Sequence, residues 1–149
     1  MEINGLPLHA LVNHAAVVFG PLAALAGVLY AVPRFRNYLR WPLVASVLVL
    51  VVSVWVSYLS GQQLEDTGNY ATGPLHELLE THESRASILR ISATVFAVVA
   101  VVSAWLHTRT GPTRLALAGL TAVAAVVTGV YVALTGDAGA QIAWYGTEV

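Results

Sequence analysis

Four of the five histidines in this 149-residue chain stand in two pairs, His9 with His14 and His76 with His82. Pro7-Leu8-His9 opens the first pair and Pro74-Leu75-His76 the second, and each pair leads into a long apolar run. Imidazole is the commonest metal ligand among side chains and titrates near neutrality. An ionisable group at or inside the edge of a membrane span is costly, and so is a functional hypothesis by default. The remaining chemistry is sparse. No cysteine is present, which excludes disulfides, thiolate metal sites and cysteine-held iron–sulfur clusters. No nucleophile–base arrangement, phosphate loop or facing carboxylate pair is legible, so an electron carrier or redox subunit is expected in preference to an enzyme.

The elements that must position these histidines follow from composition. Hydrophobic residues make up 57% of the chain and charged residues 10%, against about 25% charged in soluble domains. All seven basic residues are arginine, and the net charge of −1 leaves no basic stripe for nucleic acid. The N-terminal stretch lacks a basic n-region and is long enough to span a bilayer, so it does not read as a cleaved signal peptide. Four apolar segments, at about 8–32, 41–61, 83–107 and 115–136, are each long enough to cross a membrane. Every backbone amide in hydrocarbon must be satisfied within its own segment, so each should be a helix. The expected fold class is an all-α bundle of four transmembrane helices forming one integral domain. Pro42 and Pro112 are expected at the starts of spans two and four, and Pro21 is expected to kink span one.

Arg34, Arg36 and Arg40 follow span one, and Arg109 and Arg114 follow span three. The positive-inside rule puts both loops in the cytoplasm and both termini outside, in a bacterial inner membrane. An external loop at about 62–82 then carries Glu65, Asp66, Glu77 and Glu80, with Glu83 just beyond it, and a helix from about Pro74 should run on into span three. Tyr30, Tyr38, Trp41 and Trp105 fit an inner aromatic belt, and Tyr70, Trp144 and Tyr145 an outer one. Ser53, Ser57 and Ser60 in span two, and Ala125, Gly129 and Ala133 in span four, read as packing seams of small residues.

The two halves resemble each other. Leu8-His9 through His14 parallels Leu75-His76 through His82, and Tyr58-Leu59-Ser60-Gly61 parallels Ala133-Leu134-Thr135-Gly136. A parallel repeat with its twofold axis along the membrane normal would bring His14 to His82, deep, and His9 to His76, shallow. A five-residue step turns a helix by about 140°, so both histidines of one helix cannot face the same centre. His107, alone among arginines, reads as a snorkelling interfacial residue.

Three site chemistries remain open. The first is haem b ligated by two histidines in an apolar pocket, His14 and His82 first and His9 and His76 second, with Trp55 and Tyr58 flanking the ring and Arg85 and Arg90 near its propionates. The second is a copper or zinc site built from His14, His82, His9 and His76, helped by Glu80 or Glu83. The third has no cofactor, in a membrane scaffold or accessory subunit. Paired symmetry and apolar surroundings suit a large flat ligand better than a hard ion. A haem at the outer face would need an external redox protein or a membrane quinone as partner, and the lipid bilayer surrounds the whole chain. A homo-oligomer stays open.

Gly-Leu-Pro-Leu-His-x4-His at residues 5–14, the central Leu75-His76 segment and the closing Leu-Thr-Gly-x2-Gly-x5-Tyr-Gly from Leu134 resemble the bacterial membrane family called domain of unknown function 2231. The resemblance covers nearly the whole chain and implies four membrane helices with a His-Pro-x3-His start. Here Ala10 follows His9 where the family has proline, and Ala15-Ala16 follows His14 where it has Phe-Pro. The resemblance carries little about activity.

Overall fold

The computed structural model describes residues 2–3, 6–67 and 73–145. Four helices dominate: α1 (Leu8–Ala31), α2 (Arg36–Thr67), α3 (Pro74–Trp105) and α4 (Gly111–Ala143). Ahead of α1, β1 (Glu2–Ile3) pairs antiparallel with β2 (Leu6–Pro7), a small addition to the expected all-helical architecture. All four helices are long and apolar enough to cross a membrane.

The helices outrun the apolar segments. α2, α3 and α4 have 32, 32 and 33 residues, about 48–50 Å at 1.5 Å per residue, against roughly 30 Å of hydrocarbon. Hydropathy locates only the part of a helix that sits in lipid. Gln62, Gln63, Leu64 and Glu65 are good helix formers and carry α2 past its apolar run. Most of the stretch expected as an external loop is therefore helical, and Tyr70 lies outside the described residues. Pro112 stands in the first turn of α4 as expected, whereas α2 starts six residues before Pro42 and runs through it. α1 likewise continues across Pro21.

Each helix packs on its chain neighbours and α4 closes the ring against α1, so α1 lies diagonal to α3 and α2 to α4. Lipid tails supply no hydrophobic drive for helices to associate, so small residues that admit close approach do the work. A Cβ on Gly20 would lie 2.7 Å from Val132, and one on Gly27 2.7 Å from Ala125 and Phe96. The central packing is rich in alanine, with Tyr30, Phe96, Leu43 and Leu50 as its large fully buried members. Outward, Val17, Leu22, Leu25, Val98, Val123 and Val126 are each more than half exposed, a surface for which a bilayer is the fitting solvent.

Burial repeats between the halves. Ala16, Gly20, Ala23, Gly27 and Tyr30 are buried on α1, and so are Leu89, Ala93, Phe96, Ala100 and Ser103, each 73 positions later on α3. Leu43, Val47, Leu50, Val54, Ser57 and Ser60 of α2 correspond in the same way, at 78 positions, to Thr121, Ala125, Thr128, Val132, Thr135 and Ala138 of α4. This register matches His9 with His82 and Gly61 with Gly139, where the sequence similarity had suggested His76 and Gly136. The serine seam of α2 is buried as expected, but in α4 only Ala125 of the expected stripe is fully buried and Ala133 is exposed. A strict four-residue step precesses by about 40° each time, so alternating steps of three and four hold a face where repeated fours do not.

Candidate functional site

At the end of the bundle where α1 begins and α4 ends, His9 and His82 meet across the diagonal. Their ring centroids are 6.3 Å apart and the planes stand at 80°. Each ring is fastened to the helix that follows its own. His9 Nδ1 donates to the main-chain carbonyl of Ser57 on α2 at 2.8 Å, and His82 Nδ1 donates to that of Thr135 on α4 at 3.1 Å. A carbonyl can only accept, so Nδ1 carries a proton in both rings, and in its neutral form each imidazole keeps its lone pair on Nε2. Glycine makes room on each receiving helix: a Cβ on Gly61 would lie 3.0 Å from His9 Cε1, and one on Gly139 3.1 Å from His82 Cε1. The Ser57 hydroxyl donates to the side-chain carbonyl of Asn13. The Thr135 hydroxyl, in a residue only 8% exposed, has no hydrogen-bond partner among the described residues.

The other two histidines are elsewhere. His14 is exposed, and its Nδ1 donates to the Ala10 carbonyl one turn back on its own helix. The expected deep pair of His14 with His82 is thus not formed, because the 140° step that separates His9 from His14 turns His14 outward. His76 lies beside Glu80 one turn on, 3.5 Å away, and does not meet His9 as the shallow pair would require. The four-imidazole grouping is absent, and among the described residues no three of His, Asp or Glu form a group able to hold a metal ion.

The residues expected to line a ring engage one another. The Arg90 guanidinium lies over Trp55 at 4.9 Å and over Tyr58 at 4.2 Å, joining α3 to α2. Trp55 Nε1 donates to the Thr94 hydroxyl at 3.0 Å. Arg85 donates to the Leu134 carbonyl at 2.9 Å and lies 3.7 Å from Asp137, joining α3 to α4. Glu83 on α3 reaches the Glu65 carboxyl on α2 in a side-chain hydrogen bond, a facing carboxylate pair that spacing along the chain did not reveal.

The opposite end holds a network the sequence reading missed. Tyr30, expected in an aromatic belt, is 1% exposed. Its hydroxyl lies 2.9 Å from the Ser103 carbonyl and 3.0 Å from His107 Nδ1. The single Tyr30 O–H donates to the Ser103 carbonyl, so His107 Nδ1 meets the phenolic oxygen, and His107 Nε2 lies 2.9 Å from Asn37 Oδ1. His107 is therefore anchored between α1 and α2 and does not snorkel freely. Burial first, then the charges of Arg36 and Arg40, hold its imidazole below the ordinary 6.5. Tyr38, Trp41 and Trp105 do stand well exposed at this end.

A family model described as "Predicted membrane protein (DUF2231)" matches residues 5–147. The chain belongs to that family. No curated protein and no solved structure matches it. As a family member with four membrane-crossing helices it is an integral membrane protein of bundle architecture, and the printed family description names no ligand or activity.

Proposed function

We propose that this membrane protein binds haem b between His9 and His82 and serves as a single-electron carrier. The observation that carries the reading is the mutual geometry of the two imidazoles. Histidine ligands characteristically donate their second ring N–H to a main-chain carbonyl or carboxylate, which fixes tautomer and orientation. Both rings do this, on diagonal helices, with Nε2 left as the free donor atom. Two imidazoles on opposite sides of one metal, at about 2 Å per metal–nitrogen bond, hold their centroids about 6 Å apart, and here the separation is 6.3 Å.

The donor set favours haem over a bare ion. A protein-built zinc site takes three or four side-chain ligands, and no third His, Asp or Glu completes such a group among the described residues. Haem would need only two side-chain ligands, which His9 and His82 could provide. Haem held there would supply one-electron chemistry, its potential set by the two imidazoles and by burial. Ser57 and Thr135 orient the rings, Gly61 and Gly139 let them lie against the neighbouring helices, and Asn13 fixes the Ser57 hydroxyl. The matching burial pattern supports a parallel duplication in which each half contributes one ligand.

Arginine placement supports an orientation with the His9–His82 end outside the bacterial inner membrane. The redox partner is then an external protein or a membrane quinone. Because the chain has no cysteine, single cysteines at Ser84 and Thr113 would report sidedness: external labelling of Thr113→Cys instead of Ser84→Cys reverses the orientation. The visible spectrum of protein purified in detergent after expression with ample haem tests the function. A Soret band that shifts on reduction supports it, and no band sinks it. Elemental analysis of a colourless sample then decides whether copper or zinc takes the place of haem.

A further inference from the structure

The end opposite His9 and His82 carries Arg34, Arg36, Arg40, Arg109 and Arg114, yet no Asp or Glu occurs at residues 3–64 or 84–136. Arg40 is partly engaged, its Nε donating to the Ala104 carbonyl at 3.0 Å. Arg36 differs. It is 9% exposed, its Nε has no hydrogen-bond partner among the described residues, and its guanidinium lies over the Tyr30 ring at 5.4 Å. A buried charge is costly unless it is paired and hydrogen-bonded, and an aromatic face replaces only part of the lost hydration. A guanidinium packed at a membrane face with an unused donor lacks an acceptor of negative charge.

Three further features make that place suitable for an anion. Arg36 opens α2, so the positive end of the helix dipole adds to its charge. Arg40 stands one turn on, and residues four apart share a helix face. Both guanidiniums also act on His107, which places the two charges around one spot between α1, α2 and the end of α3. Arginine is the side chain best suited to phosphate, through its planar fork of donors.

We infer that Arg36 and Arg40 seat a phosphate-class anion, most suitably the headgroup phosphodiester of an anionic phospholipid at this membrane face. The seat differs from general attraction of arginines to an anionic leaflet, because it depends on one buried residue and not on the number of charges. It stands independently of haem binding at the other end.

Thermal unfolding in neutral detergent tests it, with added phosphatidylglycerol, phosphatidylcholine or inorganic phosphate. Phosphatidylglycerol should raise the midpoint and phosphatidylcholine should not. Arg36→Gln should weaken the half-saturating concentration about tenfold or more, whereas Arg109→Gln, which removes equal charge from an exposed residue, should leave it unchanged. If Arg36→Gln does not fold, Arg40→Gln carries the comparison. A full rise with inorganic phosphate alone keeps the seat and assigns it to a soluble anion. No rise with either probe, or equal weakening in all variants, overturns the inference.

Discussion

The imidazoles of His9 and His82 stand nearly perpendicular, 6.3 Å apart, on diagonal helices that begin 66 residues apart in the chain. Neither ring is held by its partner. Each is tied through Nδ1 to the returning helix of its own half, so the pair is positioned by two separate attachments. Such an arrangement lets a ligand be gripped from both sides without either histidine having to move with the other.

Replacing either ring should therefore abolish cofactor binding while leaving the bundle assembled. His9→Ala and His82→Ala each remove one hydrogen bond to a carbonyl, a cost of about 1 kcal/mol, and each should eliminate the Soret band. His14→Ala and His76→Ala should retain it, because these side chains do not reach the pair. Absorbance ratios of purified variants, with size-exclusion profiles to confirm folding, make the measurement. Loss of the band in His14→Ala with retention in His9→Ala would restore the pairing first read from the sequence.

The glycines facing the rings give a second handle. Alanine at Gly61 or Gly139 puts a methyl about 3 Å from imidazole atoms, so the ring must shift against its own hydrogen bond, at about 1–2 kcal/mol. Alanine at Gly136, which would meet nothing within 4 Å among the described residues, should be neutral or stabilising by about 0.5–1 kcal/mol through reduced backbone entropy. Equilibrium unfolding of Gly139→Ala and Gly136→Ala separates the two registers of the repeat. Equal stability would remove the close approach from the account.

The four spans, their order and the family were legible because an apolar run long enough for a bilayer has one backbone solution. The facing direction of each histidine was only half legible. The five-residue step from His9 to His14 and the six-residue step from His76 to His82 announced that one ring of each pair turns away, but which one does so depends on where Ser57 and Thr135 offer carbonyls, on other helices. Tyr30, Asn37 and His107 lie on three separate stretches, so no spacing pattern could join them. The position of Arg90 near the outer face was readable, while its stacking on two aromatic neighbours one helix away was not.

Arg90 itself separates packing from ligand binding. Lying over both Trp55 and Tyr58, it should contribute about 0.5–2 kcal/mol through cation–π contact. Arg90→Ala should lower stability by that amount and leave the Soret position unchanged, and Arg90→Lys should recover part of it. A shifted band or altered midpoint potential in Arg90→Ala, with unaltered stability, would return the residue to the cofactor.

The most specific pH dependence belongs to His107. Two residues past the last residue of α3, it is held below 6.5 by burial and by Arg36 and Arg40 on α2, and the Tyr30 hydroxyl from α1 approaches its Nδ1. The unfolded chain therefore binds this proton more readily than the folded one, and stability depends on pH wherever the two differ. His107 leaves stability undiminished above 6.5 and reduces it as pH falls below that value. Every other group is the same in wild type and variant, so the difference between wild type and His107→Gln isolates this residue. That difference should be constant above neutrality and should move in favour of His107→Gln between about pH 6.5 and 5. Denaturant midpoints measured across that range in one detergent make the comparison, and a difference that stays flat as pH falls would mean that the imidazole titrates as it does in the unfolded chain.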